Sequence, residues 1–255
     1  MPGKISKLVN IENAKHEIYI AGLIKKINNY ENYFLITDEN CRIDDKFKIL
    51  YTPYKEPIIN NLSFNSIYYS LLTSIQILID HKIVHFDKKK IIQSDNIYLT
   101  NFKISIDMKN VYSKFKTYFY TYYIKNYYWP LEVHLLCYSI NVGKITPDIL
   151  KIICTDFTNN HIILKKSNPK FINEYITKSI DYYSPWIQLP YDEFIKKIIG
   201  SWKTWDNYGL IIYLFEQKYT IPTLFLKNIH YLPTERLSVS KCLELTAAST
   251  AGSAI

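Results

Sequence analysis

The run SIYYSLLTSIQILI, Ser66 to Ile79, constrains the fold most, because it has a helical period and almost no charge. Ile67, Leu71, Ser74, Ile75, Leu78 and Ile79 share one face at spacings of three and four, and a helix this apolar belongs inside the main core. Ile83-Val84-His85 then reads as a short strand, and Ile97 to Thr100 as another beyond the polar turn QSDN. The centre of the chain is therefore helix, strand, loop, strand, with His85, Asp87 and Asn101 at the ends of its strands and in the loops.

Upstream, NAKHEIYIAGLIKKI (Asn13 to Ile27) predicts a helix capped by Asn13. Tyr33 to Thr37 and Phe47 to Tyr51 predict a hairpin across a charged turn, ended by Pro53 and Pro57. Downstream, Thr146-Pro147-Asp148, Asn168-Pro169 and Pro190-Tyr191-Asp192 each open a helix, with Pro where a first-turn N–H is not needed. TWDNYGLIIYLFEQ (Thr204 to Gln217) predicts a further helix with Asp206 near its start. The tail LTAASTAGSAI is small and polar, and reads as disordered.

With 255 residues and 48% hydrophobic content, the chain can bury one large core or the cores of two lobes. A net charge of +8 permits attraction to phosphates or nucleic acid, but the lysines are scattered and their clusters short, as in a solvated basic surface. Cys41, Cys137, Cys154 and Cys242 lie far apart with no C-x-x-C pair, which argues against a zinc site and for a reduced, intracellular compartment. The N-terminus lacks the apolar core of a signal peptide, and no stretch approaches the roughly 18 apolar residues of a membrane span. The tyrosine-rich run Tyr118 to Trp129 could offer stacking faces to single-stranded nucleic acid, but with Lys125 as its one charge it reads as packing.

Five motifs, taken in order, resemble those of a eukaryotic-type protein kinase, and look most like the divergent kinases of giant DNA viruses. His85-Phe86-Asp87 stands where the family has H-R-D, with Lys89 two residues after the aspartate. Asn101-Phe102-Lys103 stands at D-F-G, and Trp129-Pro130-Leu131-Glu132 resembles the A-P-E end of the activation segment. Trp205-Asp206-Asn207-Tyr208 resembles the start of the central C-lobe helix, and Pro233-Thr234-Glu235-Arg236 the late arginine. The resemblance covers Asn13 to Glu244. It implies an α+β, protein-kinase-like two-lobed fold: a truncated N-lobe over 1–54, a mainly helical C-lobe over 55–244 with a helical insertion at 145–200, and a disordered tail over 245–255.

The resemblance also implies roles. Asp87 would accept the substrate hydroxyl proton and Lys89 would place a cation near the transferred phosphate. Glu17 would pair with a strand lysine, Lys4 or Lys7, and with Tyr51 and Asn101 would line the cofactor site. Asn101 would be a weak metal ligand. His85 and Phe102 would belong to an internal hydrophobic column, Asp206 would hold the catalytic loop, and Glu132 with Arg236 would form a buried ion pair. The metal side departs from the family. The catalytic-loop asparagine is Ile92, with Asn96 the nearest substitute, while the D-F-G aspartate is the neutral Asn101 and its glycine is Lys103. The glycines, at 3, 22, 143, 200, 209 and 252, make no G-x-G-x-x-G.

ATP and magnesium are thus the implied cofactors, on a site poorly equipped for the metal. The expected function is a catalytically impaired pseudokinase acting as a binding or scaffolding module for a protein partner. The alternative is an active, divergent Ser/Thr kinase transferring the ATP γ-phosphate to a protein substrate. A third reading is a basic nucleic-acid or virion-associated protein. The expected location is the cytoplasm, under the viral resemblance that of a host cell, or the virion.

Overall fold

The computed structural model describes residues 3–55, 62–87, 91–93 and 96–251. Packing divides the chain into two units, Met1–Lys109 with Leu243–Ile255, and Asn110–Cys242. This grouping does not follow the expected division after residue 54, because residues before and after that point pair within one unit.

The first unit opens with β1 (Lys4–Asn10), which runs straight into α1 (Ile11–Ile24). Asn10, extended at ψ 157, caps the helix by accepting from Asn13 N at 2.8 Å. The helix thus starts earlier than expected, and Asn13 is its third residue rather than its cap. Ala14, Glu17, Ile20, Ala21 and Ile24 form its buried stripe.

Next come β2 (Phe34–Leu35), β3 (Glu39–Arg42) and β4 (Phe47–Pro53). Antiparallel pairing orders the first sheet β1-β4-β3, with Lys7 opposite Leu50. The hairpin is β3–β4, turned by Asp44 Oδ1 accepting from Lys46 N and Phe47 N, both at 2.7 Å. Its first strand is the wholly exposed ENCR, not the expected Tyr33 to Thr37. Phe34 and Leu35 are both buried and lie at one edge of a different sheet, whereas the exposed ENCR forms an edge of the first sheet.

The charge-poor run forms α2 (Phe64–Asp80), capped by Ser63, with the predicted face buried. Four short strands follow: β5 (Ile83–Val84), β6 (Ile91–Gln93), β7 (Ile97–Thr100) and β8 (Ile106–Asp107). β7 lies between β2, which is parallel to it, and β6, which is antiparallel, while β5 pairs with β8. Residues 1–54 and the segment after α2 are therefore joined by backbone hydrogen bonds.

The second unit is helical: α3 (Val111–Tyr118), α4 (Leu131–Asn141), α5 (Pro147–Asn160), α6 (Pro169–Tyr183), α7 (Tyr191–Ile199) and α8 (Trp205–Glu216). Thr146 and Asn168 cap α5 and α6 with Pro at the first helical position, as expected. Pro190 is itself the cap residue of α7, one place earlier than the expected pattern. Two 3-10 turns, Thr223–Ile229 and Pro233–Glu235, lead to α9 (Val239–Ala251). The tail read as disordered is thus helical as far as Ala251. Leu243, Leu245 and the alanines at 247 and 248 are strong helix formers, and Thr246 is fully buried. No helix among the described residues is long and apolar enough to cross a membrane.

Candidate functional site

A row of polar side chains crosses the first unit. Strand period explains which lysine takes part: Lys4 and Lys7 are an odd number of residues apart, so they project from opposite faces. Lys4 meets Asp38 at 3.1 Å and Glu39 at 2.6 Å. Lys7 faces α1 and meets Glu17 Oε1 at 2.7 Å, where Thr37 Oγ1 also donates at 3.0 Å. Lys7 Nζ donates as well to Asn101 Oδ1 at 3.2 Å, and Asn101 Nδ2 donates to Asp87 Oδ2. Glu17, Asp87 and Asn101 are buried. Glu17 Oε2 is buried with no hydrogen-bond partner among the described residues.

The backbone is strained at two points of this row. Asn101 sits at φ 64 and ψ 66, a left-handed conformation that asparagine tolerates. Phe86, between His85 and Asp87, has φ 61, which a bulky side chain seldom adopts. Each such residue costs of order 1–3 kcal/mol, so the surrounding packing must hold it. His85 provides part of that hold: its Nε2 meets Thr100 O at 2.9 Å, and its carbonyl accepts from Ser105 Oγ at 3.0 Å. Phe102 and His85 meet in a T-shaped contact with ring centroids 4.7 Å apart, and Phe102 meets Phe34 at 5.9 Å.

Other expected members stand elsewhere. Lys89 lies outside the described residues. Ile92 pairs with Tyr98 in the β6–β7 ladder. Asn96 is a turn residue, donating to Asn32 O at 2.6 Å and accepting from Ile97 N at 2.9 Å, so its side chain is engaged away from Asn101. Tyr51 lies in the central strand β4, where its carbonyl accepts from Asp38 N at 3.1 Å, and it does not join the row.

The second unit holds a separate buried node. Glu132, in the first turn of α4, receives Arg236 bidentately, Nη1 to Oε1 at 2.5 Å and Nη2 to Oε2 at 2.9 Å. Trp205 Nε1 donates to the same carboxylate at 3.1 Å and Tyr183 OH at 3.3 Å. Arg236 also donates to His230 O at 2.9 Å and Thr204 Oγ1 at 3.2 Å, and lies over the Tyr208 ring. Burial works against its charge, but the Glu132 carboxylate more than offsets this, so its pKa rises above the ordinary guanidinium value. Asp206 is buried in the first turn of α8.

Two buried histidines in this unit gave no signal in the sequence. His161 Nε2 meets Tyr208 OH at 2.8 Å, and its Nδ1 accepts from Ile163 N and Leu164 N, both at 3.1 Å. His134 Nε2 meets Asn126 O at 3.2 Å, and its ring lies 5.6 Å from Phe157. Burial lowers the pKa of His134 to about 4 and that of His161 to about 3. Only contact across the helices identifies them.

Among the described residues no group of three His, Cys, Asp or Glu side chains is arranged to hold a metal ion. No protein-family model matches the chain, and no curated protein matches it. Among solved structures, it is similar to the crystal structure of the yeast RNA Pol II CTD kinase CTDK-1 complex, with a TM-score of 0.47 and 16% identity, over 94% of this chain and 84% of that one. At that score the superposition assigns no family.

Proposed function

We propose that the chain is a protein-kinase-like module that engages a protein partner and transfers phosphate weakly or not at all. The motif order and three pairings support the kinase-like part: Lys7 with Glu17, His85 with Phe102, and Glu132 with Arg236. The observation that carries the impaired activity is the engagement of Asn101. Its one oxygen accepts from the Lys7 ammonium, and its amide donates to Asp87.

Magnesium does not fit this donor set. A hard divalent cation needs several oxygens and gains most from carboxylates. Asn101 is neutral, a lysine ammonium lies 3.2 Å from its oxygen, and Lys103 adds charge two residues on. Phosphoryl transfer depends on positioning and charge stabilisation, and this row is short of both.

The test is a radiolabelled ATP assay on the purified chain and on Asp87→Ala, with magnesium and then manganese. No incorporation above the Asp87→Ala background is expected. Robust incorporation that vanishes in Asp87→Ala would establish an active, divergent Ser/Thr kinase instead.

A further inference from the structure

From Asn110 to Leu131 the chain holds ten aromatic rings, three lysines and no carboxylate. The sequence assigns the rings from Tyr118 to Trp129 to packing, and the structure divides the ten. Phe119 is buried edge-on against Trp205 at 6.0 Å, and Tyr122 meets Tyr138 at 5.1 Å. Tyr112, Tyr120 and Tyr123 are instead 54%, 62% and 56% exposed. Rings that spend more than half their surface in water add little to the core.

The exposed rings sit on a held backbone. Asn141 Nδ2 donates to Phe119 O at 2.7 Å, and Asn126 N donates to Tyr123 O at 3.0 Å. Lys116 lies four residues after Tyr112 on α3, and so on the same helical face, while Lys125 follows Tyr123 by two residues. Both lysines are exposed. The neighbouring carboxylates are Asp156, which acts on Tyr122, and Asp192 and Glu193 in the first turn of α7, beside Tyr191, whose ring lies 6.4 Å from Phe115.

We propose that the strip from Tyr112 to Lys125 binds single-stranded nucleic acid, with the exposed tyrosines stacking on bases and Lys116 and Lys125 meeting phosphates. Every base has a π-face, so such a surface is sequence-tolerant. The strip's positive charge complements a phosphate backbone. An acidic peptide would satisfy the lysines and leave the three rings without a complement, so nucleic acid accounts for more of what is exposed. This inference does not depend on the function proposed above.

Fluorescence anisotropy of the full chain with a labelled oligothymidylate or oligouridylate of about twenty nucleotides, longer than the ~4–16 nucleotide sites of comparable surfaces, tests it. Binding is expected to saturate and to weaken between about 50 and about 200 mM salt. Tyr120→Ala and Tyr123→Ala should each weaken it about five-fold or more, while Tyr120→Phe, which keeps the ring, should not. Lys116→Ala with Lys125→Ala should reduce the salt slope by about 1.4. Lys165→Ala with Lys166→Ala, elsewhere in the unit, should leave affinity unchanged. Absence of saturable binding, loss on lysine but not tyrosine substitution, or equal displacement by a polyglutamate peptide would each overturn the proposal.

Discussion

Lys7 and Glu17 are ten residues apart in the chain and 2.7 Å apart in space, with the carboxylate buried and the ammonium partly exposed. The pair forms because β1 passes directly into α1, whose buried stripe turns Glu17 back beneath the strand. Burying the carboxylate is costly, and Lys7 is what compensates for it. Losing one partner of a fully buried pair costs about 3–5 kcal/mol, and the exposure of Lys7 reduces this. Lys7→Met should therefore destabilise the first unit by roughly 1–3 kcal/mol in urea unfolding, and adding Glu17→Gln should restore part of the loss. If Lys7→Met unfolds at the same urea concentration as the parent, the pair contributes nothing.

The node at Glu132 has no such discount, since both partners are almost completely buried. Glu132→Ala should cost about 3–5 kcal/mol, because it leaves a guanidinium buried beneath aromatic rings without its counterion. Arg236→Lys keeps the charge but loses the planar fork that reaches both carboxylate oxygens, and should cost about 2 kcal/mol. Denaturant midpoints of the two variants, compared with the parent, check both figures. A lysine variant as stable as the parent would show that charge alone holds the node.

Local signals were legible where one residue suffices. Pro147 and Pro169 mark their helix starts, and the apolar face of Ser66 to Ile79 is buried as read. The Glu132–Arg236 contact was expected from motif order, although the residues lie 104 apart in sequence. What failed depended on pairing. β1 reads KISKLVN, too weakly alternating to announce a strand, and it is defined by its ladder with β4. ENCR carries no apolar signal, so the sequence places the first hairpin strand at Tyr33 to Thr37 instead, and ENCR takes its strand character from its neighbour β4. At the candidate site the sequence marks Asp87 and Asn101, but the engagement of the Asn101 amide on both sides exists only in the folded chain, between residues far apart in sequence.

His134 and His161 make stability depend on pH. Both are buried, and burial holds both folded-state pKa values below the unfolded value, near about 4 and about 3. The unfolded chain therefore binds more protons as pH falls below the unfolded histidine value of about 6.5, and stability decreases from there toward the folded values. The stabilisation is complete above about pH 6.5 and is lost on acidification at up to about 1.4 kcal/mol per pH unit for each histidine. Urea midpoints at neutral and mildly acid pH measure this slope. His134→Asn, which cannot protonate there, should reduce it, and an unchanged slope would remove His134 from the account.

Asn101→Asp returns a carboxylate to the place where the kinase resemblance has one, and its outcome separates a lost ligand from a lost site. The amide of Asn101 donates to Asp87, so the substitution replaces a hydrogen bond with two carboxylates in contact. The Lys7 ammonium, 3.2 Å from the Asn101 oxygen, offsets part of the repulsion. The variant should be less stable than the parent by about 1–2 kcal/mol at neutral pH. Like-charge contact raises a carboxyl pKa, so the folded variant takes up a proton more readily than its unfolded chain, and the gap to the parent should narrow as pH falls toward about 4. Phosphotransfer with magnesium should stay at background, because Lys103 and Ile92 are unchanged and no glycine-rich loop holds the phosphates. Radiolabelled ATP incorporation by Asn101→Asp, measured beside Asp87→Ala, decides the matter: activity restored by one carboxylate would mean that the site is intact and lacks only that ligand.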